Sequence, residues 1–265
     1  MYLKTSSIER KIKRIIPSSF KKFILFFLVN RSLGRLIKIA RINRNLFGGV
    51  FDYSNVSDKE AARIFWGVWE SAEIRFSKRF ANSKTIIELG SSVGVTLGVL
   101  ANTRSDTKFV CIEASPINFE KLKLLKRKLP NNGNDYVLLN AAIAYGVSNV
   151  EFEHSTTTGS KISDASSLKS QLFTVPALSL SELLSTQKID GPYTLITDIE
   201  GAEASIFFED SQALDNCDRI IAELDNTPMY SADEQLIKLN SLGFKISERY
   251  GNVVFMAQEV KKNIL

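Results

Sequence analysis

Between residues 84 and 258, short β-branched and apolar runs alternate with segments whose apolar positions recur every three or four residues. The first pattern is that of buried strands, the second that of helices packed along one face. Strands are predicted over 85–89, 108–113, 135–140, 193–198 and 218–224, and helices over about 93–102, 116–129, 178–185, 202–213 and 231–242. Pro116 suits the first turn of its helix, where a missing N–H costs nothing. Two further strands, 244–250 and 253–258, flank Gly251-Asn252, a hairpin turn signal. Such alternation implies an α/β fold: a doubly wound, mostly parallel sheet with helices on both faces, finished by an antiparallel hairpin strand at its edge. A short hairpin arm is expected at 149–153, leading into a polar loop over 155–170. Upstream, Ala62, Phe65, Trp66, Trp69, Ile74 and Phe76 are spaced as one amphipathic helix over 58–80, a cap or lid on the core.

Charge divides the chain differently. Residues 1–49 carry 12 lysines and arginines against a single acid, Glu9, a net +11, while the remainder, with 22 basic and 28 acidic side chains, is −6. The expected organisation is therefore a basic, helical N-terminal segment over 1–49, a helical cap over 50–83, and a ligand-binding domain over 84–265. The apolar run at 23–29 is too short to span a bilayer, which takes about 20 residues, and no small-residue cleavage site follows it. Three roles stay open for the basic segment: an interfacial helix on anionic lipid, a cap packed on the domain, or nucleic-acid contact. The last is the least expected, because no recognised binding module accompanies the charge. Two cysteines, Cys111 and Cys217, make no disulfide framework, so a cytoplasmic location is expected, with peripheral contact at the inner membrane face as its variant.

The chemistry concentrates at strand ends. In KTIIELGSSVG (84–94) an apolar strand stops at Glu88 and turns through Gly90, Ser92 and Gly94 into a helix. Glycine permits the turn and the helix start offers free N–H donors. A dinucleotide fingerprint would need a glycine where Ser92 stands, and Glu88 would repel a diphosphate. A ligand with an amine and no phosphate, such as S-adenosylmethionine, fits better. Glu113, 23 residues beyond Gly90 in CIEASP, lies at the interval of a ribose-binding carboxylate. Asn140 and Ala141 after the third strand could lie against an adenine ring. In ITDIEGAE (196–203), Asp198 and Glu200 are expected at alternating pleat positions, and Glu203 in the first helical turn. Glu223 and Asp225 end the fifth strand.

These motifs together resemble the FkbM family of S-adenosylmethionine-dependent methyltransferases, a class I, Rossmann-like family acting mostly on hydroxyls of sugars and natural products. The resemblance rests on IIELGSSVG, CIEASP, LLNAAIA with NVEFE, LSLSELLS, TDIEGAE and RIIAELDN, over roughly 84–258. Two positions depart from the pattern: Glu88 where Asp is commoner, and Asp225 where a histidine is common. The resemblance implies O-methylation of a saccharide, glycolipid or other small-molecule or glycan acceptor. It implies Glu88, Gly90, Ser92, Gly94, Glu113, Ala114, Asn140, Ala141 and Asp198 as the cofactor-binding set.

Methyl transfer from a sulfonium is an in-line displacement dominated by alignment, and an attacking hydroxyl must lose its proton to a base. Asp198, Glu200 and Glu223 are the candidates, Asp198 first. His154, the sole histidine, is the outside alternative. No metal is expected; the nearest oxygen set would be Asp198 with Asp225 and Asn226. A nicotinamide-linked oxidoreductase and a non-catalytic binding protein on the same fold are the rival functions.

Overall fold

The computed structural model describes residues 29–154 and 171–259. The expectations for 1–28 and for the 155–170 loop lie outside the described residues. The sheet-forming strands are β1 (Thr85–Leu89), β2 (Lys108–Ile112), β3 (Asp135–Leu139), β7 (Tyr193–Thr197), β8 (Cys217–Glu223), β9 (Phe244–Tyr250) and β10 (Val253–Gln258). They lie in the order β3-β2-β1-β7-β8-β10-β9. β1, β2, β3, β7 and β8 are parallel, and β10 is antiparallel to both of its neighbours. The predicted hairpin exists, but the antiparallel strand is not at the edge. β10, apolar throughout as VVFMA, is drawn inside between β8 and β9, and β9, whose FKISERY alternates, takes the solvent edge. Burial on two faces selects the continuous apolar run for the interior position.

Both faces of the sheet are covered. Ile87, Leu89, Val110, Leu195 and Ile220 point into a core closed by α6 (Leu180–Thr186), α7 (Glu203–Glu209) and α8 (Ala232–Ser241), through Leu183, Phe207 and Leu239 among others. Their pleat neighbours Ile86, Cys111, Ile196, Ile221 and Phe255 meet Ala72 and Phe76 of α3 (Ser71–Phe80), Leu97 of α4 (Val95–Thr103) and Leu122 of α5 (Pro116–Lys126). Period-2 alternation sends successive side chains to opposite helical layers. Helix starts are marked where the sequence supplies caps. The capping boxes Ser179/Glu182 and Ser231/Glu234 open α6 and α8, and Ser115 with Pro116 opens α5. A separate small sheet joins β4 (Ala142–Ile143), β6 (Gln171–Leu178) and β5 (Asn149–His154) in the order β4-β6-β5. The arm predicted at 149–153 is thus one half of an antiparallel β5–β6 pair, with His154 in register with Gln171.

The single helix expected over 58–80 is two helices. α2 (Asp58–Phe65) ends at a break where Gly67 and Glu70 both take left-handed backbone, φ 63° and 47°, and α3 begins at Ser71. A helix cannot run through two such residues. The break turns α3 onto the sheet, while α2 packs with α1 (Arg31–Ile39) in a third cluster around Ile37, Phe51, Tyr53, Ile64 and Ile74. Among the described residues, no helix is long and apolar enough to cross a membrane. Both cysteines are buried and free.

Candidate active site

The parallel strands reverse their order of addition between β1 and β7, and the crevice outside the carboxyl ends at such a switch point is where ligands bind in open α/β sheets. The loop after β1 is built for close approach. Gly90, Ser92 and Gly94 all have positive φ (81°, 49° and 82°), and the N–H groups of Gly90 and Ser91 both donate to the Ile112 carbonyl at 2.9 Å. Ser92 is held left-handed by its N–H, which donates to Glu113 Oε2 at 2.7 Å, and the other oxygen of Glu113 accepts from Ser115 N at 2.8 Å. Glu113 therefore ties the glycine loop to the exit of β2. Asn140 Nδ2 donates to the carbonyls of Glu113 and Ala114 (2.8 and 3.0 Å), fixing the same exit from the third strand. Ala114, part-exposed, packs beside Ala142 and Val175. Ala141, the next residue, is 3% exposed and packs against the core, as closely enclosed at this strand exit as Glu88 and Glu113 (6% each) are at theirs.

The second half of the site is acidic. Glu88 follows Ile86 on the pleat, Asp198 follows Ile196, and Glu223 follows Ile221, so all three carboxylates lie on the α3 side of the sheet at neighbouring strand ends. α3 meets them with Glu73, and carboxylate oxygens of Glu73, Asp198 and Glu223 all lie within 4.8 Å of one another. Just before α3, Glu70 accepts from Trp69 Nε1 at 2.7 Å and Thr96 Oγ1 at 3.2 Å. Among the described residues, no lysine or arginine forms a salt bridge with any of these five acids.

Enclosure without a basic partner raises four of these carboxyls, Asp198, Glu70, Glu88 and Glu73. Burial, and then the charges of Glu223, Glu70, Glu203 and Glu73, push Asp198 up to about 9. Burial, then Glu88, pushes Glu70 up to about 8. Burial is also the main cause that raises Glu88 and Glu113, each to about 7, and Glu73 is raised by burial and by its contact with Glu223. Like charges brought together out of water hold protons or attract a cation.

The 198–203 turn differs from the pleat expected there. β7 stops at Thr197, and Glu200 sits in an exposed left-handed position, φ 57°. It is not one of the carboxylates of the Glu73–Asp198–Glu223 group. Glu203, 1% exposed, has turned back to accept the N–H groups of Ile199 (2.5 Å) and Gly201 (2.8 Å), so it holds the turn that carries Asp198. The metal set considered from sequence also disperses. Asn226 Oδ1 accepts from Ala232 N at the start of α8, and Asp225 Oδ1 takes a 3.1 Å bond from Asn252 Nδ2, which also reaches Glu223 Oε1 at 2.5 Å. Sequence reasoning gives no site role to Glu70, Glu73 or Asn252. A signal for Glu73 existed: it falls on the buried stripe of Trp69, Ala72, Phe76 and Phe80, where an acid is out of place.

The buried acids make ligand-free stability depend on pH. Glu88, Glu113 and Glu203 are each raised from an ordinary 4.5 to about 7, mainly by burial. Between those values the folded chain holds protons that the unfolded chain has released, so stability is full below 4.5 and declines as pH rises through 7. Each such group contributes a slope of about 1.4 kcal/mol per pH unit. Thermal denaturation without ligand should give a lower midpoint at pH 8 than at pH 6, and Glu88→Gln should flatten that difference.

This sheet order, with glycine loop and acids at the switch point, defines the class: the fold of class I, S-adenosylmethionine-dependent methyltransferases. The chain belongs to the FkbM methyltransferase family, whose domain, Methyltransferase FkbM domain, matches residues 88–246. No curated protein matches the sequence. Solved structures similar to it include magnesium protoporphyrin IX methyltransferase from Synechocystis PCC 6803 with bound SAM (10% identity, 90% of this chain and 97% of that one, TM-score 0.43). The N-terminal domain of EvdMO1 with SAH and D-fucose (11%, 86% and 96%, 0.41) and fibrillarin from Aeropyrum pernix with natively bound S-adenosyl-L-methionine (10%, 70% and 72%, 0.38) are comparably distant. Glu70 and Glu73 precede the family-matched span, so the cap segment adds two acids to the crevice from outside it.

Proposed function

We propose that the chain methylates a hydroxyl of a saccharide, glycolipid or other natural product, with S-adenosylmethionine as donor and a carboxylate of the crevice as proton acceptor. The observation that carries this reading is the group of acids at one rim, buried Glu73 and Glu88 with half-buried Glu70, Asp198 and Glu223, without a basic partner among the described residues. A ligand that brings an ammonium and a sulfonium suits such a place; a pyrophosphate does not, which disfavours a nicotinamide cofactor. When bound, S-adenosylmethionine supplies an electrophilic methyl. The 90–94 loop and Glu113 are assigned to its nucleoside end and the acids beyond Glu88 to its cationic end. Asp198 is the assigned base, taking the proton of the acceptor hydroxyl as it attacks. Glu73 and Glu223 act as positioning neighbours that keep Asp198 basic, and α3 excludes water from that side of the crevice.

A second reading is favoured by one observation. Three carboxylates within 4.8 Å make an oxygen set suited to a divalent cation, which would orient and acidify the hydroxyl in place of a free base. One experiment tests both. The protein is incubated with methyl-labelled S-adenosylmethionine and glycan or lipid-linked saccharide extracts, with EDTA and again with added Mg²⁺, and labelled products are identified by mass. Label on a hydroxyl that survives EDTA supports the free-base reading, and loss restored by Mg²⁺ supports the second. Label on nitrogen or carbon, or none with any acceptor, overturns the proposal.

A further inference from the structure

The face of α1 turned away from the protein has a composition that packing does not require. At 100° per residue, Arg31, Arg35, Ile39, Ser32, Leu36 and Ala40 fall in one continuous arc, and all six are exposed. The opposite arc holds buried Gly34 and Ile37 with part-buried Leu33, and Lys38 on its flank pairs with Asp58 at 2.9 Å. Leu36 is 60% and Ile39 68% exposed, and Leu46 in the segment that follows is 59% exposed. Arg41 and Arg44 are exposed as well, no acid occurs between Arg31 and Phe51, and among the described residues Arg31, Arg35, Arg41 and Arg44 enter no salt bridge. The two aliphatic side chains thus lie side by side on the helix, with Leu46 beyond them, among unpaired charges of one sign.

From this we infer that α1 and the segment to Leu46 dock the protein on an anionic lipid surface, with Leu36 and Ile39 entering the headgroup boundary and the arginines lying among lipid phosphates. A helix with an aliphatic centre and a basic margin lies in the plane of such an interface. Nucleic acid would be met by arginines as well, but bare leucine and isoleucine gain nothing from a phosphate backbone. The charge is complementary: the described part of this segment, residues 29–49, carries Arg31, Arg35, Lys38, Arg41 and Arg44 and no acid, so an acidic surface attracts it. Docking also goes beyond the methyl-transfer reading and does not rest on it.

The test uses the full chain and sedimentation with vesicles of phosphatidylcholine, with and without phosphatidylglycerol. The wild-type protein should sediment with the anionic vesicles, stay in solution with the neutral ones, and be released by high salt. Replacing Arg35 and Arg41 by Gln should weaken partition by about thirtyfold, taking a basic residue near the surface as worth about fivefold. Leu36→Ser with Ile39→Ser should weaken it at least about tenfold, by loss of buried apolar area. All these positions are exposed, so circular dichroism and the thermal midpoint should be unchanged. Equal binding to both vesicles, or to neither, overturns the inference. Variants that bind as tightly as wild type also overturn it, since they place the contact outside this face. So does a dimer that Leu36→Ser dissociates, or retention of duplex RNA by a protein that ignores vesicles. Soluble-acceptor methylation is measured in parallel and should be the same for wild type and variants, so failure of docking and failure of the catalytic reading are told apart.

Discussion

An Asp198→Asn enzyme should turn over about 10²- to 10³-fold more slowly than wild type with donor and acceptor both saturating, within the range a positioned base contributes. The substitution keeps the shape and one acceptor atom but cannot take a proton. The pH dependence gives the sign. A base works ionised, and Asp198 in the ligand-free protein holds its proton up to about 9, so kcat/KM for the donor should rise with pH toward that value. Binding a cation next to it favours the ionised form, so the limb in kcat should lie at lower pH than the limb in kcat/KM. Glu73→Gln is the informative companion. Removing one of the negative neighbours that raise Asp198 should move the limb to lower pH while keeping turnover within about tenfold of wild type. Stopped assays across pH with both variants settle the roles. If the Asn enzyme keeps most of its turnover, Asp198 only positions ligands and the proton leaves by another route.

Gly90→Ala should be the most damaging single-methyl change in the crevice. A Cβ at that position would lie 2.0 Å from the Asp198 carbonyl oxygen and 2.9 Å from its carbon, at φ +81°. The contact is with backbone, so no side chain can swing aside. Overpacking of this kind costs about 1–3 kcal/mol, and left-handed backbone in a residue with a Cβ adds about 1–2 kcal/mol. Relief would come from pushing the 198–201 turn outward, stretching the 3.1 Å bond from Asp198 N to the Leu89 carbonyl and displacing the Asp198 side chain. Chemical denaturation should therefore show a loss of about 2–5 kcal/mol, and calorimetry on the folded fraction a weaker affinity for S-adenosylmethionine. Gly48→Ala is the control. Its φ is +83° but nothing lies within 4 Å of the added carbon, so it should lose only the conformational part and keep its affinity. Equal behaviour of the two variants would mean that the contact with Asp198 is not tight.

Much of this was legible along the chain because it is written in local periodicity. Short β-branched and apolar runs name the strands, Pro116 marks a helix start, and the positions of Glu88, Glu113, Asp198 and Glu223 follow from where the apolar runs stop. Pleat alternation even orders them: each acid two residues beyond an isoleucine shares that isoleucine's face, which is why Glu88, Asp198 and Glu223 come out on one side of the sheet. Glu200 escapes the rule because the chain leaves the pleat after Asp198 and takes left-handed backbone at Glu200 and Gly201, φ 57° and 100°.

What only the tertiary structure decided is where distant segments meet those ends. The break at Gly67–Glu70 looks in sequence like a continuous amphipathic stripe, since a stripe records which residues are buried and not the direction in which the chain turns. That break swings α3 over the sheet and delivers Glu73 to within 4.8 Å of Asp198 and Glu223. Likewise, the place of β10 between β8 and β9 was decided by which strand of the hairpin found partners on both sides. Sequence alone determined the sheet, its acidic rim and the family. Packing alone determined which acids share one pocket of low solvation, and therefore which of them keep their protons, because desolvation and charge repulsion depend on distances across the fold and not along the chain.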